Sequence, residues 1–226
     1  MEMNFDHLWS SNVKKMKKSI IRELLKLTQR KEIISFAGGL PNPKLFPINE
    51  VQECLNSVME KNGAMALQYG TTEGDMPLRR HLVKRYNEYE GLKISENNIL
   101  ITTSSQQGLD FCGRVFVDPG DVVFCELPSY LGGLNAFSAS GAILCGIEMD
   151  ENGMSSVKLD AAIQKTIAEG KKPKFIYVVP DFQNPAGLTM GVQRRKEILE
   201  IAYKYNLPVI EDSPYRELRF EGQSQP

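Results

Sequence analysis

The sequence predicts an α/β fold in which a mostly parallel sheet carries helices on both faces. From Asn98 onward, short apolar runs rich in Val, Ile and Phe alternate with segments of helical periodicity. Those runs are continuous rather than alternating polar and apolar, as strands covered on both sides are. Turn signals such as Asp118-Pro119-Gly120-Asp121 separate them, and no internal repeat or low-complexity tract interrupts the series.

Before that series the chain reads as helical. "VKKMKKSIIRELLKLTQR" sets Met16, Ile20, Leu24 and Leu27 on one helical face. "ISFAGGLPNPKLFP" is too rich in Gly and Pro for a helix and forms an extended, turning connector. Ile48–Glu60 and Met76–Tyr89 are amphipathic, with the loop "LQYGTTEGD" between them. The first strand is expected in "ILITT" (Ile99–Thr103), followed by a helix in "QQGLDFCGRVF". Then come "VVFCEL" (Val122–Leu127), a short helix from about Tyr130 to Ser140, "AILCGIEM", and a helix from about Lys158 to Glu169. "KFIYVVP", the helix Val192–Tyr205 and "PVIED" complete a βαβ series of five strands. Residues 1–50 form an N-terminal helix and connector, and residues 51–226 one large domain.

Composition removes several function classes. The chain has 226 residues, 42% hydrophobic and 24% charged, enough for a sizeable core under a soluble surface. A formal net charge of -1 gives no electrostatic case for nucleic acid. The basic run "KKMKK" reads as a solvated helix face. Cys54, Cys112, Cys125 and Cys145 contain no CxxC and read as reduced thiols, the last three in apolar segments. His7 and His81 are the only histidines and lack ligand spacing, so no metal site is expected. "MEMNFDHLWS" has no signal-peptide apolar core and no run approaches membrane-spanning length, so a cytoplasmic protein is expected.

In a parallel sheet the loops after the strands gather along one edge, where ligands bind. Here those loops hold "SSQQ" (Ser104–Gln107), "PSY" (Pro128–Tyr130), "DFQNPAG" (Asp181–Gly187) and "DSPY" (Asp212–Tyr215). Small hydroxyl residues between strand and helix suit an anion, or an ordinary N-cap by Ser104 or Ser105. No GxGxxG or GxxxxGK[ST] occurs, which leaves a dinucleotide or P-loop site unsupported. Tyr130 could cover a flat ligand or pack on the core, and Asn184 could be a ligand or a turn residue. Asp212 is sharper: a carboxylate at the end of a buried strand calls for a cation, and the chain offers few nearby. Read together, the loops describe a phosphorylated aromatic cation, with phosphate at Ser105, ring beneath Tyr130, ring hydroxyl near Asn184 and Tyr215, and ring nitrogen at Asp212. Pyridoxal phosphate (PLP) fits that description.

The segments "IRELLKLTQRKEIISFAGGLPNPKLFP", "LQYGTTEGDMPLRRHL", "ITTSSQQGLDFCGRVFVDPGD", "PSYLGG", "QNPAG" and "VIEDSPYRELRF" resemble the fold-type I PLP-dependent aminotransferases of class I/II. Among these they are most similar to the 2-aminoadipate and aromatic aminotransferase branch, and the likeness runs over almost the whole chain. The resemblance implies the aspartate aminotransferase fold and amino transfer between an amino acid and a 2-oxo acid. It implies that backbone groups of Ser105 and Gln106 hold the phosphate, that Tyr130 stacks on the ring, and that Asn184 and Tyr215 bond its hydroxyl. Asp212 pairs with the ring nitrogen. Tyr69 reaches the phosphate of a neighbouring subunit, so a homodimer is implied. Gly38 and Gly39 line the substrate carboxylate, and Arg22 matches an arginine that meets acidic side chains in some relatives, although a solvent-facing helix arginine is the competing reading.

Departures from the family pattern are Ser104 in place of glycine, Ala186 in place of threonine, and Ser213 where a second aspartate is common. The family's Schiff-base lysine lies beyond the "EDSPY" motif, and the last lysine here is Lys204. The chain is therefore expected to be the N-terminal half of such an enzyme, with no catalytic residue of its own and no activity alone. Competing readings are a PLP-dependent lyase or decarboxylase on the same scaffold, and a non-catalytic effector-binding module; no winged-helix segment precedes the domain to favour the latter.

Overall fold

The computed structural model describes residues 5–15, 39 and 41–224. The chain divides into two compact units, Lys17–Ile101 and Met1–Met16 together with Thr102–Pro226. The helix expected over Met16 to Leu27 lies outside the described residues. A short helix α1 (Ser11–Lys15) belongs to the second unit, where the Asn12 amide donates to the Ala139 carbonyl at 3.0 Å.

In the first unit, α2 (Ile48–Ala66) extends past the expected end, with a kink at Asn62 (φ -140°). α3 (Met76–Tyr89) starts where the sequence places it, because Asp75 accepts the Leu78 N–H at 2.9 Å and Pro77 suits a first helical turn. Arg79 is buried on α3 and donates to the Glu96 carbonyl at 2.6 Å, fixing the helix to the turn at Glu96–Asn98.

The second unit is the α/β body. In chain order it contains α4 (Ser105–Phe116), β1 (Val122–Leu127), α5 (Leu131–Ala139), β2 (Ile143–Asp150), β3 (Gly153–Met154), α6 (Ser156–Ala168), β4 (Pro173–Val178), α7 (Val192–Tyr205) and β5 (Val209–Glu211). The sheet order is β3-β2-β1-β4-β5. β2, β1, β4 and β5 are parallel, and β3 folds back antiparallel on β2.

Strand parity explains the continuous apolar runs. Val122 and Phe124 of β1, with Ile176 and Val178 of β4, pack against Leu159 and Ile163 of α6 and Ile198 and Ala202 of α7. Val123, Cys125, Phe175 and Tyr177 point the other way, against Leu109 of α4 and Ala136 and Phe137 of α5. Both faces are thus covered, as the sequence predicts.

Two strand assignments need correction. Ile99–Thr103 pairs with no strand among the described residues. Its backbone is extended at Ile99, but the Ile101 N–H bonds the Glu73 carbonyl at 3.0 Å and closes a loop instead of a ladder. β3 went unforeseen because it is two residues long. Its turn is set by Asp150, whose carboxylate accepts the Asn152 N–H at 2.8 Å, and by Gly153 at φ +94°.

Candidate functional site

β1, β4 and β5 are parallel, so the residues that follow them leave the sheet at one edge. A pocket of about 130 Å³ opens there, lined by Ser105, Tyr130, Val179, Asn184, Asp212, Pro214 and Tyr215. Five of the residues singled out from sequence therefore meet in one place.

Asp212 extends the ladder one residue past β5, its N–H bonding the Val178 carbonyl at 3.0 Å. The register pairs Tyr177 with Ile210, so Asp212 stands two residues on from Tyr177's partner, on the same side of the sheet. The Tyr177 hydroxyl donates to Asp212 Oδ2 at 2.9 Å. Burial, and next the charge of Asp212, push the Tyr177 phenol far above its ordinary range, so it stays a neutral donor.

Asn184 and Tyr215 form a pair, the amide Nδ2 donating to the phenol oxygen at 3.2 Å. The loop presenting Asn184 is pinned from below by buried Gln183. Its Nε2 donates to Glu126 Oε2 at 3.0 Å and to the Pro128 carbonyl at 2.9 Å, while its Oε1 accepts the Ala186 N–H at 2.8 Å. Glu126 also accepts the Val179 N–H at 3.1 Å. Burial, only partly offset by these two hydrogen bonds, raises the Glu126 pKa to about 7. One step further from the pocket, fully buried Asp181 faces Arg195 and Arg219 at 3.1 Å each and Arg216 at 3.5 Å.

Tyr130 is the half-buried N-cap residue of α5. Gly132 is needed beside it, since a Cβ there would come within 2.4 Å of the Tyr130 ring and 2.6 Å of the Gln106 side chain. Gln106 Nε2 donates to the Gly132 carbonyl at 3.0 Å, which leaves its main-chain N–H as the group it can offer. Ser104 is the N-cap of α4 by position, but its side chain makes no capping bond. The first-turn N–H groups of Ser105 and Gln106 have no acceptor within the helix and stand at its positive end.

The remaining predicted residues fall elsewhere. Tyr69 and Gly39 belong to the first unit: Tyr69 is fully exposed, and Gly39 has φ +57° in open space. Arg22 and Gly38 lie outside the described residues. Sequence reasoning missed Tyr177, Glu126 and Gln183. A hydroxyl in "KFIYVVP" and a carboxylate in "VVFCEL" were the available signals, because polar groups inside a buried run require partners.

Chemically, the pocket combines unbonded helix N–H groups, an aromatic side chain, an amide–phenol pair and a carboxylate with one oxygen already engaged. That donor set fits a flat ring bearing an anionic group, a hydroxyl and a protonated nitrogen. Among the described residues no lysine lines the pocket. Lys204 bonds Asp160 at 2.7 Å, between α7 and α6, on the opposite face of the sheet.

Residues 39–225 match the family described as aminotransferase class I and II. The chain is 44% identical to aromatic-amino-acid aminotransferase 1 of Thermococcus litoralis, over 98% of its own length and 53% of that protein's. It is 39% identical to 2-aminoadipate transaminase of Thermus thermophilus, over 96% of the chain and 52% of the relative. A solved kynurenine aminotransferase from Pyrococcus horikoshii, in complex with PMP, superposes with a TM-score of 0.90 at 45% identity, covering 98% of this chain and 55% of the other. The chain spans about half the length of the curated relatives it matches.

Proposed function

The chain belongs to the class I and II aminotransferase family, and on that premise we propose that its pocket holds pyridoxal 5′-phosphate for a transferase acting between an amino acid and a 2-oxo acid. The observation that carries this reading is the convergence of Ser105, Tyr130, Asn184, Asp212 and Tyr215 in one pocket. In our assignment the first-turn N–H groups of Ser105 and Gln106 take the phosphate. Tyr130 stacks on the ring, Asn184 and Tyr215 bond its hydroxyl, and Asp212 holds the ring nitrogen in its protonated form. Bound there, the cofactor supplies an electron sink that acidifies the amino acid's Cα–H.

Residues outside this pocket complete the assignment. Gly38 and Gly39 line the substrate carboxylate, and Arg22 meets an acidic or long substrate side chain. Residues 1–50 belong with the substrate entrance and residues 51–226 with the cofactor domain. Tyr69 reaches the site of a second copy in a cytoplasmic homodimer. The exposed apolar residues Val51, Leu55 and Val58 on α2 support a partnered surface. No helix among the described residues is long and apolar enough to cross a membrane. Among the described residues no lysine lines the pocket, so those residues would hold the cofactor without offering an amine to its aldehyde.

The test is cofactor retention by the complete protein. Asp212→Ala is expected to weaken binding of pyridoxamine 5′-phosphate at least a hundredfold, since stranding one partner of a buried charge costs about 3–5 kcal/mol. Amino transfer from glutamate, 2-aminoadipate or an aromatic amino acid to a 2-oxo acid should fall with it. Unchanged affinity and an unchanged cofactor spectrum would remove the assignment.

A further inference from the structure

We propose that Tyr177 is a positioning residue for Asp212, its hydroxyl engaging Oδ2 so that Oδ1 alone is offered to a protonated ring nitrogen. The inference rests on the cofactor reading above and concerns how one carboxylate is aimed. A carboxylate held only by its own torsions can turn about the Cβ–Cγ bond and exchange its two oxygens. A donor fixed at one of them stops that exchange. The 2.9 Å contact joins adjacent strands and closes 35 residues of chain, so both partners are held by the β4–β5 ladder.

The phenol is itself immobilised. Tyr177 is fully buried, and its ring stands edge-on to Phe137 with centroids 5.1 Å apart and an interplanar angle of 75°. Gly133 of α5 is what admits it: a Cβ at that position would lie 2.7 Å from Tyr177 Cζ and 2.8 Å from the hydroxyl oxygen. The absence of a side chain at residue 133 therefore sets how far the hydroxyl can reach. Phenylalanine would fill the same space and keep the ring contacts, yet leave the carboxylate unaimed.

The experiment compares two ligands on the complete protein by calorimetric titration. One is pyridoxamine 5′-phosphate. The other is its 1-deaza analogue, which carries C–H in place of the ring nitrogen. Wild type should prefer the nitrogen-bearing ligand. Tyr177→Phe should shrink that preference about tenfold, the scale of a lost hydrogen bond to a charged group, and leave affinity for the deaza analogue within about twofold. Gly133→Ala, which pushes on the hydroxyl from α5, should shrink the preference in the same direction and gives an independent readout if Tyr177→Phe does not fold. Equal loss for both ligands would reduce Tyr177 to packing and overturn the proposal, as would an unchanged preference. A wild type that binds both ligands alike would overturn the pairing with Asp212, and with it this inference. A wild type that binds neither would overturn the cofactor reading itself.

Discussion

Gln183 and Glu126 meet beneath the pocket, the amide donating to the carboxylate at 3.0 Å across 57 residues of chain. Burial lifts Glu126 from an ordinary 4.5 to about 7, so the folded protein keeps a proton there that the unfolded chain releases. The sign follows. The contribution of this group is fully present below about pH 4.5 and is lost as pH rises toward 7. Across that window stability should fall by on the order of 3 kcal/mol from this group alone. Glu126→Gln keeps a carbonyl oxygen for the same two N–H donors and carries no titrating proton. Urea denaturation of the complete protein at several pH values should therefore show a flatter profile for Glu126→Gln. Parallel profiles would mean that Glu126 is ionised throughout.

Asp181 is the anion among three guanidinium groups, those of Arg195, Arg216 and Arg219. Arg216 has a second carboxylate at Glu211, whereas Arg219 also lies over the Phe182 ring at 4.8 Å. Asp181→Asn should lower unfolding stability by about 3–5 kcal/mol, because it strands buried positive charge rather than removing a balanced pair. The denaturation midpoint reads this directly. A loss under about 1 kcal/mol would show the cluster to be solvated like a surface pair.

The four thiols should react in an order set by their surroundings. Cys54 is exposed, Cys112 and Cys145 are half-buried, and Cys125 is buried. Burial first, then the neighbouring Cys145 and Glu126, push the Cys125 thiol up to about 12. Maleimide labelling at neutral pH, mapped by peptide mass, should modify Cys125 last and only after unfolding. Early labelling of Cys125 would contradict its place on β1, beneath α4 and α5.

Most of the α/β body was legible because burial on both faces writes itself into composition. "VVFCEL" and "KFIYVV" are apolar at odd and even positions alike, as strands between two helix layers must be. "ILITT" has the same composition and is no strand here, since a strand exists only through a partner and nothing local names one. The short β3 carried its signal in the turn before it. In the site, Ser105, Tyr130, Asn184, Asp212 and Tyr215 were readable because each stands just after a strand or at a helix start. Tyr177 and Glu126 were hidden inside apolar runs, where parity decides which layer a side chain joins and only a register can say which groups it meets.

The strand order has a consequence for how the chain is made. Each strand after β1 pairs with one already synthesised: β2 with β1, β3 with β2, β4 with β1, and β5 with β4. A polypeptide emerging from the ribosome can add each described strand to an edge already made, β1 keeping its second edge open until β4 arrives. The last of the described strands, β5, leads directly into Asp212 and Tyr215. The carboxylate thus reaches the ledge only after Tyr177, Tyr130 and Asn184 have been translated, and the growing sheet is complete to β4 before it gains its acidic wall.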